Sequence, residues 1–257
     1  MTAPLHGRRI LVTGAARGIG LATLARLVAE GASVAALDRD APALAALPGR
    51  LGRALGHFVA VDVADAAAIA EAVRASAAAL GGLDGIVNAA GVDLYADIEA
   101  MAPADWDRVI AVNLTAPFFV IRAAYPFLKA AGGGTIVNVS SAAGLSPLRN
   151  RTAYCASKAG LQMASKALAI EAAAFGVRVN TVCPGAVETE LFRSSFASAF
   201  PDAPDEGAIR DAVRARYVLN RIAEPEEIAA AIVWLSGPES SYVTGVALAV
   251  DGGRSFH

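Results

Sequence analysis

Seven short apolar runs recur along the chain, separated by longer stretches of helical periodicity, and no other feature narrows the possible folds as much. The runs are residues 9–13, 33–37, 57–61, 85–88, 135–139, 177–182 and 246–250. Helical patterns span residues 19–30, 66–80, 104–131, 152–175 and 225–236. The runs are continuous in Val, Ile, Leu and Ala rather than alternating with polar residues, so each strand is expected to be covered on both faces. Strand-helix-strand order then predicts a doubly wound α/β fold: a parallel seven-stranded sheet with helices on both sides. No linker, repeat or low-complexity boundary interrupts residues 1–257, which read as a single domain. Residues 191–220 break the rhythm, with Phe192, Phe196, Phe200, Pro201 and Pro204. A long connection at the carboxyl edge of such a sheet is commonly functional, so residues 184–220 are expected to form a substrate loop or lid. The plainer alternative is a surface helical pair with no role.

Scarcity excludes several chemistries. The chain has three histidines (His6, His57, His257), two cysteines (Cys155, Cys183) and three lysines (Lys129, Lys158, Lys166). Dispersed histidines supply neither a catalytic His triad nor a metal cluster, so no metal is expected. Two cysteines make no disulfide framework, and a reducing cytoplasm is expected. Both read as buried, inert thiols, Cys155 facing away from Tyr154. A net charge of −2 without a basic run offers nothing to nucleic acid. The apolar start at residues 10–12 is broken at once by Thr13, Gly14 and Arg17, and the longest uncharged stretch, residues 130–148, is rich in Gly, Ser and Asn. Neither suits an export signal or a membrane span.

The first strand enters Thr13-Gly14-Ala15-Ala16-Arg17-Gly18-Ile19-Gly20 and then a helix. Glycines at this turn let the backbone approach a pyrophosphate, whose charge meets the helix amino end. Asp38 closes the second strand, where a carboxylate can accept both hydroxyls of an adenosine ribose and repels a 2′-phosphate; this predicts NAD. Arg17 and Arg39 pull the other way, since each could pair with the extra phosphate of NADP. Asp62-Val63 after the third strand and Asn88-Ala89-Ala90-Gly91 after the fourth place polar and glycine positions along the same edge.

Tyr154 and Lys158 open a long helix four residues apart, hence on one face. An ammonium, a helix amino end and an oxidised nicotinamide would together favour a phenolate, lowering a phenol that ordinarily titrates near 10. A phenol that gives and takes a proton suits carbonyl reduction or alcohol oxidation. Ser140 and Ser141 end the fifth strand on opposite faces, so one of them can aim at the tyrosine. Asn113 lies within an apolar helix, where a buried amide requires a partner.

This ordered set resembles the short-chain dehydrogenase/reductase family over essentially the whole chain: the 13–20 turn, Asp62-Val63, Asn88–Gly91, Asn113, Ser141, Tyr154-x-x-x-Lys158, Pro184-Gly185 and Asp251-Gly252-Gly253. The resemblance implies a Rossmann fold and an Asn113, Ser141, Tyr154 and Lys158 tetrad. The family serine stands thirteen residues before the tyrosine, which selects Ser141. By the same resemblance Tyr154 exchanges the proton, Lys158 lowers its pKa and holds the nicotinamide ribose, Ser141 bonds the reacting oxygen, and Asn113 anchors a water in the proton path. It implies a cofactor site of Gly14, Arg17, Gly18, Ile19, Gly20, Asp38, Asp62, Val63, Asn88, Ala89, Ala90, Gly91, Tyr154, Lys158, Pro184, Gly185, Val187 and Thr189. In that site Val187 through its backbone and Thr189 through its hydroxyl would hold the carboxamide. Ala89 departs from the family's second Asn, which loosens a structural hydrogen bond.

The expected function is therefore an NAD-dependent oxidoreductase moving hydride between nicotinamide C4 and a secondary alcohol or ketone. The alternatives are an NADPH-dependent ketone or 3-oxoacyl carrier-protein reductase and a catalytically silent dinucleotide-binding sensor. Leu94, Tyr95, Ala142, Leu145, Leu148, Leu191, Phe192 and Phe196 are expected to line an apolar substrate pocket. Arg149 or Arg151 is available for an anion, although such arginines more often stand on surfaces or interfaces. The weakly charged helix from Thr152, whose alanines permit close approach, predicts a buried outer face, and similar proteins are commonly homotetramers.

Overall fold

In the computed structural model, residues 4–51, 56–199 and 205–256 are described, with the side chains of 196–198 outside the description. Expectations about the Phe196 side chain and about Phe200, Pro201 and Pro204 lie outside the described residues. The chain runs β1 (Arg9–Thr13), α1 (Gly18–Ala29), β2 (Ser33–Asp38), α2 (Ala41–Ala45), α3 (Leu47–Leu51), β3 (His57–Ala60), α4 (Ala66–Leu80) and β4 (Gly85–Asn88). It continues through α5 (Pro103–Ile110), a π turn (Ala111–Thr115), α6 (Ala116–Ala130), β5 (Gly134–Val139), α7 (Thr152–Ala172) and β6 (Val177–Pro184). Helices α8 (Glu190–Ala199), α9 (Glu206–Arg214) and α10 (Pro225–Ser236) precede β7 (Ala247–Val250). The sheet has seven strands in the order β3-β2-β1-β4-β5-β6-β7, and each pair is parallel.

Alternating residues of the apolar strands feed two cores, as strands buried on both faces require. Leu11, Ile86, Ile136 and Val179 pack with Ile69 and Val73 of α4, Val120 and Leu128 of α6 and Ala169 of α7. Ile10, Val12, Val87, Val137 and Val182 pack with Leu24 and Leu27 of α1 and Ile228 and Ile232 of α10 on the other face. The chain winds outward from β1 to β3, then restarts at β4 on the opposite side of β1. Register sets Thr13 against Asn88 and Asn88 against Asn138, so the loops leaving these strands start level and diverge. A crevice opens where they part.

Local chemistry accounts for the helix ends. Asp65 accepts from Ala67 N and Ala68 N at 3.0 Å to start α4, and Gly81 ends it at φ 71°. Pro225 stands in the first turn of α10, and Glu224 with Glu227 forms its capping box. Two expectations need correction. Short helices α2 and α3 follow β2, started by Asp40 accepting from Ala43 N, where no helical pattern is visible. The expected helix over 104–131 also contains the π turn, in which the Ala116 N–H reaches Ala111 O. Residue 117 is a proline, so the donor that would ordinarily serve the Asn113 carbonyl does not exist. This Pro103–Ala130 segment is long and apolar enough to cross a membrane. Here its Val112, Ala116, Val120, Ala124 and Leu128 are built into the core beside the sheet.

Residues after β6 fold as α8 and α9 over a small cluster of Ala186, Phe192 and Val213, with Tyr217 and Ile222 packed against it. A bridge between Val187 and Ala223 ties the two ends of this excursion together.

A Cβ on Gly20 would stand 2.0 Å from the Gly14 carbonyl oxygen, with no flexible side chain to give way. Gly49 in α3 faces open space. Gly20→Ala is expected to cost about 2 kcal/mol or more, lowering Tm by roughly 4 °C or more. Gly49→Ala should leave Tm unchanged or slightly raised. Thermal unfolding followed by circular dichroism compares the two.

Candidate active site

The crevice at the β1–β4 switch point is a groove lined by Gly14, Arg17, Gly18, Ile19, Gly20, Asp38, Asp62, Val63, Ala89, Ala90, Gly91 and Thr189. The glycine turn closes tightly against β4: a Cβ at Gly14 (φ 66°) would stand 2.7 Å from Ala90 backbone atoms. Arg17 caps α1 in an extended conformation without a side-chain hydrogen bond to the first turn. Those helix N–H groups are therefore available at the groove, the arrangement that suits a pyrophosphate. At Gly18 the backbone takes φ 53°, which favours glycine, and a Cβ would also crowd Thr189 Cγ2 at 3.1 Å. Asp38 is buried at the end of β2, with Oδ2 accepting from Ala16 N (3.0 Å) and Oδ1 from Asp40 N (3.1 Å). Each carboxylate oxygen retains a lone pair for a ribose hydroxyl. Arg17 is ion-paired to Asp40 and to Glu190 at the start of α8, which surrounds the one cation of the turn with carboxylates. The groove fits a dinucleotide.

A second cleft shares Ile19, Ala89, Gly91, Thr189 and Leu191 with the groove and continues it beneath α8. Ser141, Tyr154, Lys158, Pro184, Gly185 and Val187 all line it. Tyr154 and Lys158 rise from the first turns of α7, the ammonium 5.7 Å from the phenol ring centre. The two serines separate as strand alternation requires. Ser140 is buried, donating to Lys158 O (2.9 Å) and accepting from Gln162 Nε2 (3.0 Å). Ser141 Oγ accepts from Ala143 N (3.1 Å) and hydrogen-bonds Tyr154. Thr189 Oγ1 accepts from Phe192 N (3.2 Å) and donates to Val187 O (3.2 Å), so this hydroxyl starts α8 from the cleft wall.

Two expected residues stand behind the cleft rather than on it. Asn88 is buried and turns its Nδ2 to Asn138 Oδ1 at 2.8 Å. Asn113 is fully buried within the π turn, exchanging hydrogen bonds with Val92 N (2.9 Å) and Val92 O (2.8 Å) and donating to Ser157 Oγ (3.1 Å). Its amide is spent on fixing the loop after β4. A Cβ on Gly91 would lie 3.5 Å from both Asn113 Oδ1 and Lys158 Nζ, so the two side chains converge there.

The expected apolar pocket is more polar than its sequence suggests. Ala142, Leu148, Leu191 and Phe192 line the cleft, whereas Leu94, Tyr95 and Leu145 do not. Leu145 is exposed, and Tyr95 accepts from Asn150 and stands 5.8 Å from the Arg151 guanidinium. Arg149 is exposed, but Arg151 is 4% exposed and lines the cleft, against the expectation of a surface position. Asp93, Ser146, Ser195, Tyr217 and Arg254, none foreseen, complete the polar wall. Asp93, two residues beyond Gly91, carried a positional hint; Tyr217 and Arg254 arrive from distant segments and carried none.

Comparison with known proteins agrees with this geometry. A family profile described as enoyl-(acyl carrier protein) reductase matches residues 14–255. D-threitol dehydrogenase of Mycolicibacterium smegmatis is 41% identical over 254 residues, covering 98% of this chain and 94% of the relative. 3-Oxoacyl-[acyl-carrier-protein] reductase of Thermotoga maritima is 38% identical over 256 residues, covering 97% and 98%. Among solved structures, ligand-free aldohexose dehydrogenase of Thermoplasma acidophilum superposes with a TM-score of 0.89 at 30% identity, covering 100% of this chain and 97% of the other.

Burial sets the charges in the cleft. It pushes the Tyr154 phenol above its usual value, and the Ser141 hydrogen bond and the Arg151 charge only partly offset this. In the chain alone desolvation of the phenolate dominates; the downward shift is expected from Lys158, the helix terminus and an oxidised nicotinamide acting together. Burial also lowers Lys158 from 10.5 to about 8, although Nζ donates to Val139 O at 2.9 Å. The buried Cys183 thiol is pushed up to about 11 and stays protonated.

Below pH 8 the folded and unfolded chains both carry the Lys158 charge, and the fold bears its full desolvation cost. As pH rises from about 8 toward 10.5 the folded chain loses this proton first, so stability increases. The raised phenol works in the opposite sense only above its unfolded value of 10.0. Wild type is therefore expected to gain about 2 kcal/mol over Lys158→Met between pH 8 and 10. Urea unfolding of both proteins across that window measures it, and a flat difference would show the ammonium to be solvated.

Proposed function

The chain belongs to the short-chain dehydrogenase/reductase family and is an oxidoreductase acting on CH–OH groups; from this premise we propose that it uses NAD to interconvert a secondary alcohol and a ketone beneath α8. The observation that carries the proposal is one continuous crevice, with the Asp38 carboxylate at one end and Ser141, Tyr154 and Lys158 at the other. The amides of the Gly14–Gly20 turn and the start of α1 hold the pyrophosphate. Asp38 takes the adenosine ribose, and Asp62, Val63, Ala89, Ala90 and Gly91 line the adenine and ribose path. Pro184, Gly185, Val187 and Thr189 border the nicotinamide end. Bound there, the dinucleotide supplies the hydride acceptor for alcohol oxidation or the donor for ketone reduction.

Tyr154 takes the hydroxyl proton in oxidation and returns it in reduction. Ser141, which accepts from Ala143 N, keeps its hydroxyl proton to donate to the same substrate oxygen. Lys158 spends one donor on Val139 O and keeps two for the ribose and the proton path. Asn113 fixes the loop after β4 through Val92, and its carbonyl, freed by Pro117, anchors a water toward Lys158. Residues 184–220 act as the substrate lid, with α8 as its inner surface. NAD is favoured over NADP because Asp38 repels a 2′-phosphate and Arg17 is already committed to Asp40 and Glu190. The free thiols Cys155 and Cys183 fit a cytoplasmic location.

Helix α7 supports a homotetramer. Met163 and Ile170 on its outer face, with Phe118 of α6 and Phe175 beyond α7, are exposed in the single chain. Light scattering at micromolar concentration should give four times the chain mass, and a monomer mass would rule this out.

Steady-state oxidation of a secondary-alcohol panel with NAD and with NADP tests the chemistry. Tyr154→Phe is expected to lose about 10²–10⁴-fold in kcat while dinucleotide affinity is retained. An active variant would place the proton transfer elsewhere. Equal or faster rates with NADP would overturn the role given to Asp38, and no turnover would leave a silent dinucleotide sensor.

A further inference from the structure

The wall of the cleft holds an ion pair that neither gives nor takes the proton or the hydride. Asp93, from the loop after β4, and Arg151, at the amino end of α7, are paired with only 7% and 4% of their side chains exposed. Taking two charges out of water is costly, and a pair of this kind adds little net stability over apolar residues of similar size. Its position is informative: both residues line the same cleft as Tyr154 and Ser141. The pair also already holds an alcohol. Ser195 of α8 donates its hydroxyl proton to Asp93 Oδ2 and accepts from the Arg151 guanidinium. A neutral hydroxyl placed between a carboxylate and a guanidinium can satisfy both at once, which neither an alkyl group nor a second anion can do.

We propose that Asp93 and Arg151 form a hydroxyl-binding subsite, that the Ser195 hydroxyl stands where a substrate hydroxyl binds, and that the preferred substrates are diols or polyols. This deepens the dehydrogenase reading and rests on it. The reacting hydroxyl meets Tyr154 and Ser141, while a neighbouring hydroxyl donates to Asp93 and accepts from Arg151 in exchange for Ser195. The carboxylate already compensates the guanidinium, so an anionic hydroxy acid gains no free cation here and brings a charge to be desolvated beside Asp93. The apolar wall of Ala142, Leu148, Leu191 and Phe192 covers the carbon skeleton.

The test is the ratio of kcat/KM for matched alcohols with NAD: sec-butanol against its vicinal diol, cyclohexanol against its trans vicinal diol, and β-hydroxybutyrate as the anion. The ratio cancels losses common to all substrates. Wild type should favour each diol over its mono-alcohol by several-fold, the part of a charged hydrogen bond left after the exchange with Ser195, and use the hydroxy acid least. The double variant Asp93→Leu with Arg151→Met removes both charges together, leaving neither buried alone, and should erase the preference. Ser195→Ala vacates the subsite without touching the pair, so its ratio should equal or exceed that of wild type. A wild-type ratio near one, a preference that survives the double variant, a fall in Ser195→Ala, or a preference for the hydroxy acid overturns the subsite. Mono-alcohol turnover without a diol preference leaves the dehydrogenase reading standing, whereas no turnover of any alcohol removes both.

Discussion

The parallel pairing of β1 with β4 is the contact on which the rest of the molecule depends. The chain winds away from β1 in one direction and restarts on its other side, so the loops after Thr13 and Asn88 separate from a common line. That separation is a crevice whose floor is backbone. Its tightness is set by Gly14 against Ala90 and by Gly20 against the Gly14 carbonyl, neither of which leaves room for a side chain. The amino end of α1 and the carboxyl end of β2 flank the floor, bringing uncapped N–H groups and the Asp38 carboxylate to the same groove. The remaining loops extend that crevice: β5 brings Ser141, β6 brings Pro184 and Gly185, and α7 crosses behind with Tyr154 and Lys158.

Burial, more than proximity, sets the electrostatics. A phenol and an ammonium four residues apart on a helix invite the conclusion that the cation simply lowers the phenol. Instead desolvation raises the phenol and lowers the ammonium to about 8, shifting each toward its neutral form. The chain therefore holds Tyr154 as a proton donor and Lys158 as a weakened cation, a pairing suited to a site whose charge balance changes when a dinucleotide and substrate enter.

Features encoded locally were legible from residues alone. The strand runs, the capped helices α4 and α10, the glycine turn, the Tyr154–Lys158 spacing and the divergence of Ser140 from Ser141 each follow from contacts within a few residues. What stayed hidden depends on where distant segments meet. The π turn could have been suspected from Pro117 four residues after Asn113, but only packing on Val92 and Ser157 shows why that amide is buried. Leu94 and Tyr95 are expected on the apolar wall of the cleft but do not line it. The loop turns Asp93 inward instead, and Leu94 N bonds its Oδ1 at 2.8 Å. Helices α2 and α3 were missed because five-residue helices carry too short a pattern to register.

Helix α8 links the two ends of the crevice through charge. Glu190 at its start pairs with Arg17 of the glycine turn, and Ser195 in its second turn meets Asp93 and Arg151. One helix thus touches both the groove and the cleft, held at each by polar contacts. Phe192, buried between these anchors, seats α8 on the small core it shares with Val213. Apart from α8, Arg17 pairs with Asp40 and Arg151 with Asp93, so each guanidinium also has a carboxylate partner outside that helix.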